Sequence, residues 1–158
     1  MSDGSCFLGG KTMITIQGKG VSAGVGIGSL YFYRRTTTEI KYYEIDDIDN
    51  EWKRFKAAQK KAIEQLGNLA IKTREEVGEE EALLFETHQM MAEDMDYEES
   101  IETMIKEERM NAETAVSRTA EIFAEMFASM DDSYMKERAA DVKDVSRRIL
   151  EDLQVQRF

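Results

Sequence analysis

Proline is absent from all 158 residues, so no ring constrains the backbone to kink or end a helix. The lone Cys6 has no partner for an intramolecular disulfide and cannot build a thiolate cluster, which fits a reducing cytosol. With His88 the only histidine and Cys6 far from it, zinc lacks ligands. No apolar run approaches the roughly 20 residues that a membrane-spanning helix needs. The start, MSDGSCFLGGKT, has no charged region followed by an apolar core, so no signal peptide is expected there. Positive charge is also short: 21 Lys and Arg against 32 Asp and Glu give a formal net charge of -11. That balance disfavours nucleic acid and anionic membrane as partners and favours a basic protein, since opposite charge steers encounter and fixes orientation. Charged residues make up 34% of the chain and hydrophobic ones 42%, the balance of a folded domain with surface helices.

Two textures divide what is present. Residues 1–12 read as a disordered leader, with Met13 as the natural beginning. Residues 13–45 are β-like: Ile14 and Ile16 alternate, a glycine-dense bend follows, then Leu30 to Tyr33, and a second short run surrounds Glu39 to Tyr43. Such strands are too few and short for a stable sheet alone, so they are expected to be pieces of a truncated α/β domain. After Ile45 the pattern turns helical. Asp46, Asp47 and Asp49 are N-cap candidates for a long helix with Trp52, Phe55, Ala62, Leu66, Leu69, Thr73 and Val77 on one face, stopping near Gly78. A later amphipathic stretch turns Ile101, Met104 and Ile105 inward. Asn111 opens the next helix, with Val116, Ala120, Phe123 and Phe127 as its stripe, and Asp131 or Asp132 caps the last, striped by Val142, Val145 and Ile149. The expected fold is mainly α, an antiparallel four- to five-helix bundle over 46–152, preceded by a few N-terminal β-strands and followed by a tail over 153–158.

The segment GEEEALLFETHQMMAEDMDY, Gly78 to Tyr97, carries the most information. Leu84, His88, Met91 and Met95 fall at helical spacing on one stripe, read as inward. Leu83, Met90 and Tyr97 form a second apolar line, read as outward and rimmed by Glu79, Glu80, Glu86 and Asp94. A helix so patterned packs against its own bundle and meets something else.

Most chemical motifs fail on context. Gly18-Lys19-Gly20-Val21-Ser22-Ala23 matches a loose G-x-G-x-x-A fingerprint, but the next element reads as a strand where pyrophosphate would need a helix N-terminus. Glycines at a bend are the better account. A di-iron helix needs Glu three residues before its histidine, and Phe85 stands there. As a phosphoryl acceptor, His88 has Glu86 and Glu93 to repel phosphate and no glycine loop or nearby base in support. The plainer reading is a partly buried imidazole or a partner contact. Glu79 to Glu81 are consecutive, about 100° apart around a helix, and cannot share a proton. At a helix start each stabilises the dipole by roughly 0.3–1 kcal/mol. Met90 and Met91, being adjacent, cannot both face one core. Met90 is therefore either gap-filling or an adaptable contact. Neither a catalytic nor a metal-binding residue emerges.

Four stretches resemble the N-terminal part of enzyme I, the phosphoenolpyruvate-protein phosphotransferase of the bacterial sugar phosphotransferase system. They are GVSAGVGIGSLYFY, GEEEALLFETHQMMAEDMDYEESI, ERMNAETAV and DDSYMKERAADVKDVSRRIL, together spanning roughly 20–150. The YMKERAADVKD run is the most specific. Phosphoenolpyruvate-using relatives that act on metabolites share the phosphohistidine domain but lack this helical insert.

The resemblance implies a cytoplasmic, helical module that docks the small phosphocarrier HPr through apolar contacts ringed by acids. It implies partner-binding roles for Glu79, Glu80, Leu83, Glu86, His88, Met90, Met91, Asp96 and Tyr97, with Phe127 and Arg138 on later helices. Tyr97 and Phe127 stand where leucine is more usual. The family phosphorylates a histidine in a G-G-x-x-S-H motif after the insert; these 158 residues contain no such motif, and His88 matches a docking-helix position. The expectation is therefore a docking bundle with the first strands of a phosphohistidine domain, binding HPr without catalysis and needing no cofactor of its own. Full-length members use magnesium and dimerise through a C-terminal domain. The alternative is a free acidic scaffold that competes for HPr or binds another basic protein.

Overall fold

A computed structural model of the chain describes residues 17, 19, 27–29 and 40–156. The chain divides into two units between Thr37 and Thr38, and the helices lie in the second. Five helices follow one another: α1 (Ile48–Glu76), α2 (Glu79–Ala92), α3 (Met95–Lys106), α4 (Ala112–Ala128) and α5 (Ser133–Val155). The leader over 1–12 and the expected strands at Ile14–Ile16 and Leu30–Tyr33 lie outside the described residues. Of the Glu39–Tyr43 run, residues 40–43 belong to no strand. The only β pairing among the described residues is an isolated antiparallel bridge between Glu44 and Met110, one residue beyond the expected run.

Local chemistry sets the helix ends. Of the three aspartates offered as caps for α1, Asp47 takes the position, accepting from the Asn50 backbone N–H at 2.9 Å. Asp94 caps α3 through Tyr97 N–H, and Asp132 caps α5 through Tyr134 N–H, each satisfying a donor that the first turn leaves unpaired. Gly78 separates α1 from α2. Asn111 precedes α4 but does not cap it with its own side chain. Its Oδ1 instead accepts from Tyr43 N–H and from the Thr114 hydroxyl. The α4 N-terminus is capped from a distance: Glu51 of α1 accepts from Ala112 N–H at 2.6 Å.

The bundle is antiparallel where side chains record it. Along α1, Gln59 meets Ala92 and Arg74 meets Glu86, so α2 runs back down α1. Likewise Arg54 meets the Leu153 carbonyl and Gln65 meets Arg148, so α5 also opposes α1. The core holds Phe55, Leu66, Ile101, Ile105, Val116, Val145, Ile149 and Leu153, all fully buried. Fully buried alanines at 58, 62, 82, 92, 112 and 115 let helix backbones approach closely. Because Leu153 is core and α5 continues to Val155, residues 153–155 belong to the bundle and not to a tail. A helical register reaches them even though no apolar residue follows Leu153 at strict spacing within the helix.

One charged network ties three helices together. The Arg54 guanidinium donates to Glu51 at 2.6 Å, to Glu113 at 2.7 and 2.9 Å and to the Leu153 carbonyl at 3.2 Å, with Asn111 donating to Glu113 at 3.1 Å. Burial alone would push the Glu113 carboxyl up, but the hydrogen bonds from Arg54 and Asn111 outweigh it and hold the group below the ordinary 4.5. A folded-state value below the unfolded one contributes stability above about pH 4.5 that is lost as pH falls through the depressed value. Two outcomes follow. Arg54→Ala strands two buried carboxylates and lowers the unfolding free energy by about 3–5 kcal/mol in urea titrations near neutral pH. Between pH 5 and pH 3 the wild type should lose stability more steeply than Glu113→Gln, because the variant has no carboxylate there to protonate.

Candidate protein-docking face

Helix α2 has two unlike sides. Ala82, His88 and Ala92 are buried, and Phe85 and Met91 pack partly against the core. The opposite side carries Glu79, Leu83, Glu86 and Met90 at spacings of four, three and four, which is a single helical stripe alternating acid and apolar groups. Leu83 is 50% exposed and Met90 64%. Glu80, one step around, is exposed and forms no ion pair among the described residues. Exposed large apolar side chains set among carboxylates are the composition of a surface that meets a partner and yet stays soluble.

The inward stripe read from sequence is corrected. Leu84 is 48% exposed, and Met95 lies beyond the break at Glu93–Asp94, where α3 begins. The sector that enters the bundle is Ala82, Phe85, His88 and Ala92, and alanine is too weakly hydrophobic to mark a stripe when leucine and methionine stand nearby. Close helix packing selects the small residues: the Gln89 side chain of α2 lies against Gly67 of α1, where an added Cβ would sit 3.3 Å from its amide.

Tyr97 also departs from expectation. It is 3% exposed, donates or accepts at 2.7 Å with the Ser146 hydroxyl of α5, and meets Phe123 edge-on at 5.7 Å between ring centroids. Burial pushes its hydroxyl up to about 12, and the Ser146 hydrogen bond only partly offsets that. Tyr97 is therefore a core residue and not part of the outward line with Leu83 and Met90. The break at Asp94 resets the helical phase, so spacing counted through it fails. A leucine here would leave the Ser146 hydroxyl without this partner.

The remaining residues fall in different settings. His88 is 8% exposed, with Nε2 at 3.2 Å from Asp141 of α5 but without a formed hydrogen bond. Asp141 also pairs with Arg138 at 3.3 Å, and Arg138 hydrogen-bonds the Tyr134 hydroxyl and lies over its ring. Asp141 thus connects the underside of α2 to the Arg138 side chain. Phe127 is partly buried against the core near the end of α4. Asp96 is exposed in the first turn of α3. Glu79 and Glu86 are not open carboxylates: Arg74 in the last turn of α1 binds Glu79 through Nε at 2.7 Å and Nη2 at 3.1 Å, and Glu86 through Nη2 at 2.5 Å. Arg74 and Asp141 were invisible to spacing on α2, because each reaches it from another helix. Among the described residues no three His, Cys, Asp or Glu side chains converge on a metal site.

A small bundle with one acid-rimmed apolar face is the class that this geometry defines, and comparison with known proteins gives it a family. The chain belongs to the PEP-utilising enzyme, N-terminal family, which matches residues 17–138. It is 37% identical over 137 residues to the phosphoenolpyruvate-protein phosphotransferase of Listeria innocua, covering 85% of this chain and 24% of that protein. The enzyme of Geobacillus stearothermophilus is 37% identical over 139 residues, covering 88% and 24%. The chain therefore spans about a quarter of the length of these curated relatives. An NMR solution structure of an Enzyme I protein superimposes with a TM-score of 0.70 at 36% identity, over 73% of this chain and 48% of that one. The N-terminal domain of an Enzyme 1 of the nitrogen type gives 0.69 at 25% identity over the same shares. Sequence and fold agree on the N-terminal region of enzyme I.

Core and surface roles separate in two variants. Tyr97→Phe should lower the unfolding free energy by about 1–2 kcal/mol, since it leaves the buried Ser146 hydroxyl unpaired. Met90→Ala, at an exposed position, should stay within about 0.5 kcal/mol of wild type in the same thermal or urea melts.

Proposed function

We propose that the chain is the HPr-docking module of an enzyme I. The outward stripe of α2 carries this reading: Leu83 and Met90 stand exposed in alternation with Glu79 and Glu86, with Glu80 alongside. Apolar anchors supply the area removed from water, and the surrounding carboxylates select and orient a basic partner. Membership of the enzyme I family points to HPr as that partner, and the net charge of -11 favours its encounter with a basic carrier.

Within that reading, Leu83, Met90 and the partly buried Met91 form the apolar contact. Glu79, Glu80 and Glu86 form its acidic rim, with Asp96, Phe127 and Arg138 as contributors from the other helices. His88 acts from beneath: buried beside Asp141, it supports the face and does not take phosphate. The intact enzyme passes phosphate from phosphoenolpyruvate to a histidine of HPr, and the module's share is to hold HPr reversibly, in the cytoplasm, with no cofactor of its own. Magnesium and dimerisation belong to other parts of the enzyme.

Isotope-labelled HPr titrated with the chain tests this directly. A confined set of HPr amides should shift in fast exchange, and Leu83→Ala with Met90→Ala should weaken binding by about tenfold or more. Raising the salt from 50 to 500 mM should weaken it further through screening. HPr resonances left unmoved at millimolar chain would sink the assignment.

A further inference from the structure

Arg74 stands out because it already satisfies acids that docking is expected to use. It sits in the last turn of α1 and crosses to α2, where its planar fork binds Glu79 through two hydrogen bonds and Glu86 through a third. Glu79 and Glu86 lie on the same outward stripe as Leu83 and Met90, one before each apolar residue. Bidentate arginine–carboxylate pairing is also the form in which a partner's arginine would meet this stripe. We propose that Arg74 is an internal stand-in for a partner's basic side chain: it occupies Glu79 and Glu86 in the free protein, and a docking arginine or lysine takes its place. The inference rests on the docking reading of this face and adds what tunes its affinity.

The consequences follow from charge. Glu79, Glu80 and Glu86 present three negative charges, and Arg74 cancels one of them where the partner must approach. Each ion pair made with the partner therefore replaces an existing one, so the net gain is small and release is fast. That is a useful property for a surface that must let its partner go. The pairing also keeps an acid-rich helix start from repelling itself while no partner is bound. Its cost to folding is slight, because Arg74 and Glu79 lie at the surface and exposed ion pairs contribute little. The lowered Glu79 carboxyl, caused first by the Arg74 hydrogen bond, agrees with an occupied acid.

An opposite role is equally concrete. If Arg74 served to hold Glu79 and Glu86 in position for the partner, its removal would loosen the rim and weaken docking. The sign of one substitution separates the two. Arg74→Gln keeps a polar, hydrogen-bonding side chain, though a shorter one, and removes the charge at an exposed position.

The experiment compares wild type and Arg74→Gln by titration with labelled HPr and, separately, with a tetra-arginine peptide. At about 50 mM salt the variant should bind each probe about two- to fivefold more tightly, the size of one exposed ion pair, with the gain fading toward 500 mM. Equal or weaker binding of the peptide by the variant overturns the stand-in role, as does HPr that binds the wild type and binds the variant no more tightly. If HPr binds neither protein while the peptide prefers the variant, the HPr assignment falls and the stand-in role survives for a different basic partner.

Discussion

The bundle depends on a single half-buried guanidinium set between two buried carboxylates. Arg54 joins α1 to the start of α4 through Glu113 and to the end of α5 through the Leu153 carbonyl, while its neighbour Glu51 caps α4 at Ala112. Three helix termini meet where neither proline nor a cap from α4's own Asn111 side chain defines the geometry, and charge-assisted hydrogen bonds define it instead. Ion pairs at such depth add less to stability than their strength suggests, because both partners leave water. Their contribution is specificity: of the ways five amphipathic helices could pack, few satisfy Arg54, Glu51, Glu113 and Asn111 together. The α3–α4 connection is pinned to the same corner. Arg109 adopts a positive φ of 51° there, an uncommon conformation for a non-glycine residue, and its carbonyl accepts from Ile45 N–H.

With that corner holding α1, α4 and α5, α2 packs through the small Ala82 and Ala92, with Phe85 and Met91 only partly buried. Ala82 and Ala92 let it lie close to α1, Gln59 fastens its far end at the Ala92 carbonyl, and His88 rests against Asp141. Leu83, Leu84 and Met90 are thereby left for its outer side. A helix that buried Leu83, Leu84 and Met90 would gain hydrophobic stabilisation and lose the surface. The docking reading, and the part given to Arg74 within it, both rest on that division of one helix between packing and recognition.

Much of the fold was legible before any coordinates. The absence of proline, the aspartates before α1 and α5, Asn111 before α4 and the apolar spacing in α3, α4 and α5 located the elements, because caps and periodicity act within a turn or two of backbone. Leu83, Met90 and the flanking acids were legible for the same reason, as were Ile101, Met104 and Ile105. The misreadings at Met95 and Tyr97 and the one at Leu84 have two physical origins. Helical phase was carried across Asp94, where capping restarts the helix, and hydrophobic size was equated with burial, although alanine won the buried positions by fitting between two backbones.

By itself the sequence determined the helical class, the positions of most helix starts, the acidic character of the outer face and the likeness to enzyme I. Each of these is set by neighbours within a few residues or by composition. Only the tertiary structure decided which side of α2 faces inward, that Tyr97 belongs to the core, that Glu51 caps a helix 61 residues away, and that Arg74 already holds two of the rim acids. Those outcomes depend on side chains arriving from other helices, and no local spacing along α2 encodes which residue of α1 or α5 will meet it.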